Sequence, residues 1–116
     1  MTAPLEETRP WGNYKVLLKE QGFQVKRIEI SPGARLSLQK HLKRAERWTI
    51  ATGEGLATVG TEQVHVRAGS FVEVQKGQVH RIQNTGTIPL VVIEVQLGDE
   101  LDENDIVRLE DDFGRI

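Results

Sequence analysis

The chain has 116 residues, no cysteine and a formal net charge of −2. This length suits one domain with a core of its own, and the lack of cysteine excludes disulfides, thiolate metal sites and cysteine nucleophiles. The N-terminal MTAPLEETRPWG lacks a basic segment followed by an apolar one, and the longest apolar run, LVVIEV, is far too short for a bilayer. We therefore expect one cytoplasmic domain over residues 1–116, without a signal peptide and without membrane contact.

The charges are unevenly distributed along the chain. Residues 26–47 carry seven lysines and arginines against two glutamates, whereas residues 99–112 are acidic with Arg108 as their only basic residue. A basic band suits nucleic acid, a small anion or a solvated face. The aromatic content of 5% and the absence of an RNP-like or helix-turn-helix pattern argue against nucleic acid. We favour a small anionic ligand, and a solvated face remains open on charge alone.

Alternating apolar and polar residues, separated by Gly, Pro, Asn and Asp, predict nine strands. They cover residues 13–18, 23–30, 34–41, 47–52, 55–60, 62–68, 70–75, 80–84 and 89–96. An N-terminal arm (about 1–14) and an acidic C-terminal segment (about 99–116) flank them, and DELDENDIV at 99–107 is expected to form a helical turn. Short strands at this regular spacing predict an all-β sandwich or small barrel.

The predicted strand ARLSLQKH at 34–41 has two different faces, because every second residue shares a side. One face is polar, and the other carries leucines. In a closed barrel, the polar face would line an internal pocket. The residues predicted on that face are Arg35, Ser37, Gln39 and His41.

Two further polar residues are expected on apolar faces. Glu46 alternates with Trp48, and a carboxylate there has to be paired or bound to a cation. His80 alternates with Ile82 in the same way. Either histidine alone would be read as a satisfied core residue, but the joint spacing favours a divalent metal site, compatible with Zn, Fe, Mn, Co or Ni. The predicted ligands are Gln39, His41, Glu46 and His80.

This spacing resembles that of the cupin superfamily, whose motifs are G(X)5HXH(X)4E(X)6G and G(X)5PXG(X)2H(X)3N. The residues that fall on the first motif are Gly33, Gln39 in place of the first histidine, His41, Glu46 and Gly53. Those on the second are Gly69, Gln75 in place of proline, Gly77, His80 and Asn84. The resemblance implies a cupin double-stranded β-helix, that is, a small β-barrel or jelly roll.

A finer resemblance is to the C-terminal cupin domain of type II mannose-6-phosphate isomerases. It is carried by RPWGNY (9–14), VKRIEISPGARLSLQKH (25–41), RAERW (44–48), VHRIQN (79–84), IEVQLG (93–98) and DENDIVRLEDDFGR (102–115). Glutamine in place of the first histidine is typical of that family. The resemblance implies isomerisation of mannose 6-phosphate to fructose 6-phosphate through a cis-enediolate. It also implies a homodimer and one divalent ion, zinc first, with Mn, Co, Fe or Ni as alternatives.

The resemblance and the strand faces together suggest roles for the basic residues. Arg108, in the family-like DIVR string, and Lys26, on the face of Ile28, are predicted to be catalytic. The predicted substrate-binding residues are Arg35, Arg44 and Ser37. Glu94 is either a base or part of a structural ion pair.

Two alternative functions remain open from the sequence. One is a non-catalytic cupin that binds a sugar or another metabolite, and the other is a different metal-dependent enzyme, such as an oxygenase or another sugar isomerase. Cations that converge beside the metal would favour a phosphosugar. An apolar pocket would favour an oxygenase.

Overall fold

The computed structural model describes residues 6–116, which form eleven strands in two antiparallel sheets. The strands are β1 (Glu6–Arg9), β2 (Gly12–Glu20), β3 (Phe23–Ile30), β4 (Leu38–Lys40), β5 (Ala45–Thr52), β6 (Glu54–Val59), β7 (Glu62–Arg67), β8 (Phe71–Val74), β9 (His80–Asn84), β10 (Leu90–Leu97) and β11 (Val107–Glu110). The larger sheet has the order β1-β2-β3-β10-β5-β8, and the smaller has the order β11-β4-β9-β6-β7. The prediction of an all-β domain is confirmed.

The first five residues of the expected N-terminal arm lie outside the described residues. The rest of the arm forms β1 and the start of β2, which pair with each other. Within residues 6–116, no helix is long and apolar enough to cross a bilayer.

Strand alternation explains why the interior has a polar end and an apolar end. In β3, the buried Gln24 and Lys26 precede the buried Ile28 and Ile30. The neighbouring β10 is antiparallel and places Glu94 opposite Lys26, so polar side chains meet polar side chains. A cavity therefore forms at one end of the interior, and the hydrophobic core fills the other.

The hydrophobic core joins both sheets. Its buried members are Trp11, Tyr14, Ile28, Ile30, Trp48, Ile50, Ala57, Val66, Val74, Ile82, Leu90 and Val92. Burying one large apolar side chain contributes about 1.5–3 kcal/mol. The core thus provides the rigid base on which the polar end of each strand is held.

The helical turn expected over residues 99–107 is wrong. Asp102 Oδ1 accepts from the backbone N–H of Asn104 at 2.9 Å, and Asp102 O accepts from Asp105 N–H at 3.0 Å. The Asp105 carboxylate caps another segment, at the backbone N–H groups of Leu42 and Lys43 (both 2.9 Å). Aspartates that hydrogen-bond to the backbone in this way form turns in place of a helix.

The Asn84 side chain connects backbone segments at the core end of the interior by hydrogen bonds, and its replacement tests the fold. It is fully buried, donates from Nδ2 to Ile30 O (2.9 Å) and Ile88 O (2.8 Å), and accepts from Gly86 N–H (2.9 Å). Asn84→Ala is expected to lower the free energy of unfolding by about 2–4 kcal/mol, because each buried polar group left unpaired costs about 1–3 kcal/mol. Urea denaturation measures the change.

A matched control is Gln63→Ala, which removes an exposed amide from β7. Its effect should stay within about 0.5 kcal/mol. An equally small effect of Asn84→Ala would contradict the role given to its three hydrogen bonds.

Candidate metal centre and active-site cavity

A cavity of about 280 Å³ lies at the polar end of the two sheets. This volume is close to the lower end of the roughly 300–1,000 Å³ that is typical of small-ligand sites. Five cationic side chains and three carboxylates line it. The cations are Arg9, Lys26, Arg44, Arg108 and Arg115, and the carboxylates are those of Glu46, Glu94 and Glu103. The cavity is therefore positive although the chain as a whole is negative, which suits an anionic ligand.

Three buried side chains in this cavity form a group that could hold a metal ion. They are His41, just after β4, Glu46 of β5 and His80 of β9, and their ligand atoms all lie within 4.8 Å of one another. His41 Nε2 is 3.2 Å from Glu46 Oε2, and His80 Nε2 is 3.5 Å from Glu46 Oε1. The structure therefore brings together three of the four predicted ligands from three separate segments.

The hydrogen bonds behind the two imidazoles indicate that the group fits a cation. Nδ1 of His41 lies 2.6 Å from Asp105 O, and Nδ1 of His80 lies 2.9 Å from Gln78 O. A carbonyl oxygen only accepts, so each Nδ1 carries a proton and each Nε2 turns its lone pair towards the carboxylate. Lone pairs repel a carboxylate unless a cation offsets them, as Arg44 does for His41 and Glu46, and as a bound metal ion would do for all three side chains. Two imidazole nitrogens and one carboxylate oxygen suit a divalent first-row ion.

The protonation of both histidines agrees with this arrangement. Burial, followed by the positive charge of Arg44, lowers the pKa of His41 to about 4. Burial also lowers the pKa of His80. Both imidazoles are therefore neutral near pH 7, which is the form that binds metals.

Gln39 is positioned beside this group. The register pairs it with His80 across β4 and β9, and its side chain lines the cavity. Its Nε2 donates to Ser37 Oγ at 2.9 Å. With the nitrogen engaged in this way, the amide oxygen is the atom left to act as a neutral fourth ligand. Ser37 is itself buried in the cavity wall, where its hydroxyl orients Gln39.

Arg44 provides the positive charge closest to Glu46. Its Nε donates to Glu46 Oε2 at 2.8 Å, and its Nη2 lies 3.2 Å from His41 Nε2. Both members of the ion pair are buried, so the contact offsets the cost of removing two charges from water. The guanidinium also faces the cavity, where its charge acts on any bound anion.

Glu94 faces the cavity from β10. Trp48 Nε1 donates to its Oε2 at 3.2 Å and Gln96 Nε2 to its Oε1 at 2.7 Å. Burial, with the negative charge of Glu46 next in size, raises the pKa of Glu94 to about 7. Within residues 6–116 it has no ion-pair partner, so the structural ion pair considered from the sequence is not found there.

Lys26 points into the cavity, as the alternation of β3 predicts. It forms an ion pair with Glu103, and its Nζ lies 4.3 Å from the centroid of the Tyr14 ring. Burial and the nearby carboxylate of Glu103 raise the pKa of Tyr14 to about 12. The ring therefore stays neutral, and its face contributes a cation–π contact to the lysine.

Residues 2–111 match the protein family described as Mannose-6-phosphate isomerase C-terminal. The chain belongs to this family. It is 47% identical over 107 residues to the xanthan biosynthesis protein XanB of Xanthomonas campestris pv. campestris (strain B100), an alignment covering 92% of this chain and 23% of XanB. It is 40% identical over 111 residues to the mannose-1-phosphate guanylyltransferase ManC of Salmonella typhimurium (strain LT2), covering 96% of this chain and 23% of ManC. The chain thus spans about a quarter of the length of these curated relatives.

A solved structure shows the same fold. It is a conserved protein with a double-stranded β-helix domain from Klebsiella pneumoniae subsp. pneumoniae MGH 78578. The TM-score is 0.73 at 22% identity, and the match covers 93% of this chain and 85% of the other. The cupin double-stranded β-helix expected from the two motifs is confirmed.

In this member of the mannose-6-phosphate isomerase C-terminal family, strand alternation predicts the wrong position for one site residue. Arg35 was expected beside Gln39, but it lies in a second cavity and binds Asp112 through two hydrogen bonds of 2.7 and 2.8 Å. Regular strand begins only at Leu38, and although Ser37 still faces the cavity with Gln39, the alternation does not extend back to Arg35. Arg81, which follows His80 in β9 and alternates to its other side, also lines the second cavity.

Arg108 lies at the site as the sequence predicts, whereas Arg9 and Arg115 are site residues that the sequence patterns do not predict. Arg108 lines the cavity from β11, Arg9 from β1 and Arg115 from the C-terminal turn. Both missed residues belong to strings that carry the family resemblance, RPWGNY and DENDIVRLEDDFGR. Neither string has a strand pattern long enough to show which way its arginine points.

Asp111 holds the last of these arginines in place and gives a pH-dependent prediction. Its Oδ2 accepts from Arg115 N–H and Nε (both 2.7 Å), and its Oδ1 accepts from Arg115 Nη2 (2.9 Å). These bonds lower the pKa of Asp111 to about 2, from a usual value near 4. Because the folded-state pKa is depressed, the stabilisation is present above the unfolded value and is lost as the pH falls from about 4 to 2.

Asp111→Asn is therefore expected to destabilise the protein by about 1–2 kcal/mol near neutral pH. The difference from wild type should shrink as the pH is lowered towards 2. Urea denaturation at a series of pH values measures it, with the exposed Asp99→Asn as the matched control. A difference that does not change with pH would contradict the assignment.

Proposed function

We propose that the chain catalyses metal-dependent isomerisation of a sugar phosphate, interconverting mannose 6-phosphate and fructose 6-phosphate through a cis-enediolate. The observation that carries the proposal is a buried group of two histidines and one carboxylate in a cavity lined by five cations. Membership of the mannose-6-phosphate isomerase C-terminal family supports it. So does the name of a relative, mannose-1-phosphate guanylyltransferase, which concerns a mannose phosphate.

In this proposal His41, Glu46 and His80 hold a divalent ion, and the amide oxygen of Gln39 is the fourth protein ligand. Zinc is the first choice, with Mn, Co, Fe or Ni as alternatives. When bound, such an ion supplies Lewis-acid polarisation of sugar oxygens. One carboxylate among four protein ligands leaves the site net positive, which suits an oxyanion.

The side chains around the ligand group would carry the proton and offset charge. Isomerisation of the aldose removes a proton from C2 and returns it at C1, while negative charge develops on O1 and O2. Glu94 is assigned as the proton carrier, because it faces the cavity and has no ion-pair partner within residues 6–116. It starts and ends as a carboxylate, so no net proton is consumed. Arg44 and Lys26 offset the enediolate charge, an effect that is strong in a site shielded from water.

The polar cavity argues against an oxygenase for apolar substrates, which would need an apolar pocket. A non-catalytic sugar-binding module would have the same fold. It would bind the sugar without turnover, and this distinguishes it from an isomerase. A homodimeric state in the cytoplasm, expected from the sequence, is part of the proposal. Light scattering of the purified protein tests the dimer.

The direct test combines metal analysis with a coupled assay for conversion of mannose 6-phosphate into fructose 6-phosphate. Metal-free protein is reconstituted separately with Zn, Mn, Co, Fe and Ni. We expect about one ion per chain and turnover with at least one of these metals. His41→Ala and His80→Ala should each abolish tight metal binding and turnover, because each removes a ligand.

The control is His65→Ala, which removes the exposed histidine of β7 and should change neither readout. Bound metal without turnover would refute the isomerase and leave a binding module or another substrate. Failure of every metal to bind would refute the metal centre itself.

A further inference from the structure

We infer that Arg9, Arg108 and Arg115 form a phosphate-binding subsite on the β11 side of the cavity. Its ligand class is a phosphate monoester or phosphate itself. The link to a sugar rests on the proposed function, but the binding of phosphate does not. The three arginines come from β1, β11 and the C-terminal turn, so only the folded chain brings them to one cavity.

Arg108 is the central member because it has no acceptor of its own. Within residues 6–116 its guanidinium takes part in no ion pair, and its buried Nε has no hydrogen-bond partner. The other cations nearer the metal group are already engaged, Lys26 by Glu103 and Arg44 by Glu46. A guanidinium that lines a cavity without an acceptor is suited to take one from a ligand.

The other two arginines are held by contacts with neighbouring side chains. Asp111 binds Arg115 through two side-chain hydrogen bonds, and Arg9 forms an ion pair with Glu7 while lying 5.3 Å from the centre of the Tyr14 ring. Asp111 thus fixes the direction of the Arg115 guanidinium before a ligand arrives, and the more exposed contacts of Arg9 orient its guanidinium less firmly. A rigid, planar donor of this kind matches the oxygens of a phosphate better than a lysine does.

The three charges are close enough to act on one another. Burial is the main reason that the pKa of Arg108 is lowered, and the positive charges of Arg115 and Arg9 lower it further, while the negative charge of Asp111 opposes them in part. Like charges brought together in a cavity repel unless an anion lies between them. A phosphate dianion would remove this repulsion, which neither a neutral sugar nor a metal cation could do.

The strand register sets the distance between this subsite and the metal group. Arg108 pairs with Gln39 across β11 and β4, and Gln39 pairs with His80 across β4 and β9. Two strand spacings, about 10 Å in all, therefore separate the backbones of Arg108 and His80. A six-carbon sugar phosphate extended along this line has its phosphate at the arginines and C1 and C2 beside the histidines and Glu94.

The test is calorimetric binding of inorganic phosphate to the full chain, with the metal removed by a chelator that is then dialysed away. Wild type is expected to bind phosphate, and binding should weaken as salt is raised. Arg108→Ala should weaken it by about tenfold or more, because the variant lacks the charge-assisted hydrogen bonds that the guanidinium gives to the anion. Arg108→Lys should give an intermediate affinity, and the exposed Arg67→Ala should match wild type.

Circular dichroism checks that each variant is folded. If Arg108→Ala does not fold, the phosphate affinity of Arg108→Lys provides the test. Phosphate affinity that is the same in wild type and Arg108→Lys, or that exists only in metal-loaded protein, would overturn the subsite. Phosphate binding that depends on Arg108, in a protein that does not turn over mannose 6-phosphate, would support the subsite and refute the isomerase. With turnover, Arg108→Ala should raise KM more than it lowers kcat.

Discussion

The buried carboxylate of Glu46 is the constraint on which the rest of the site depends. With 1% of its surface exposed, it lies in the interior, where an ionised group is stable only beside cations and hydrogen-bond donors. Arg44 and Trp48 Nε1 donate to it, and His41 and His80 turn their Nε2 atoms towards it. Arg44, just before β5, and Trp48 of β5 thus satisfy the carboxylate, whereas the imidazole lone pairs at the ends of β4 and β9 suit a cation held between them and Glu46.

The acidic C-terminal segment completes the site from outside the strand framework. Its charges suggest a solvated tail, yet three of its residues hold side chains that line the cavity. Glu103 binds Lys26, the carbonyl of Asp105 orients His41, and Asp111 holds Arg115. The segment therefore fixes the tautomer of a predicted ligand and the direction of two cations, which is how contacts behind a site preorganise it.

Much of the fold could be predicted because alternation is a local property. All nine expected strands are present, and Lys26, Glu46 and His80 face inward as their neighbours require. Alternation failed where the chain is not regular strand. Arg35 precedes β4 and turns to the second cavity, and the short β1 and β11 were not predicted. The expected turn of helix at 99–107 failed because aspartate side chains hydrogen-bond to backbone groups there.

The sequence alone determined the strand faces, the cupin motifs and the identity of the residues that could ligate a metal. These follow from spacing within one or two strands, where period-two geometry leaves each side chain only two directions. The tertiary structure alone decided the neighbours of those residues. It joined Arg9, Arg108 and Arg115 in one cavity, left Arg108 without an acceptor within residues 6–116 and placed Asp105 behind His41. Such contacts join segments distant in the chain, and they depend on sheet order and register, which no single strand pattern specifies.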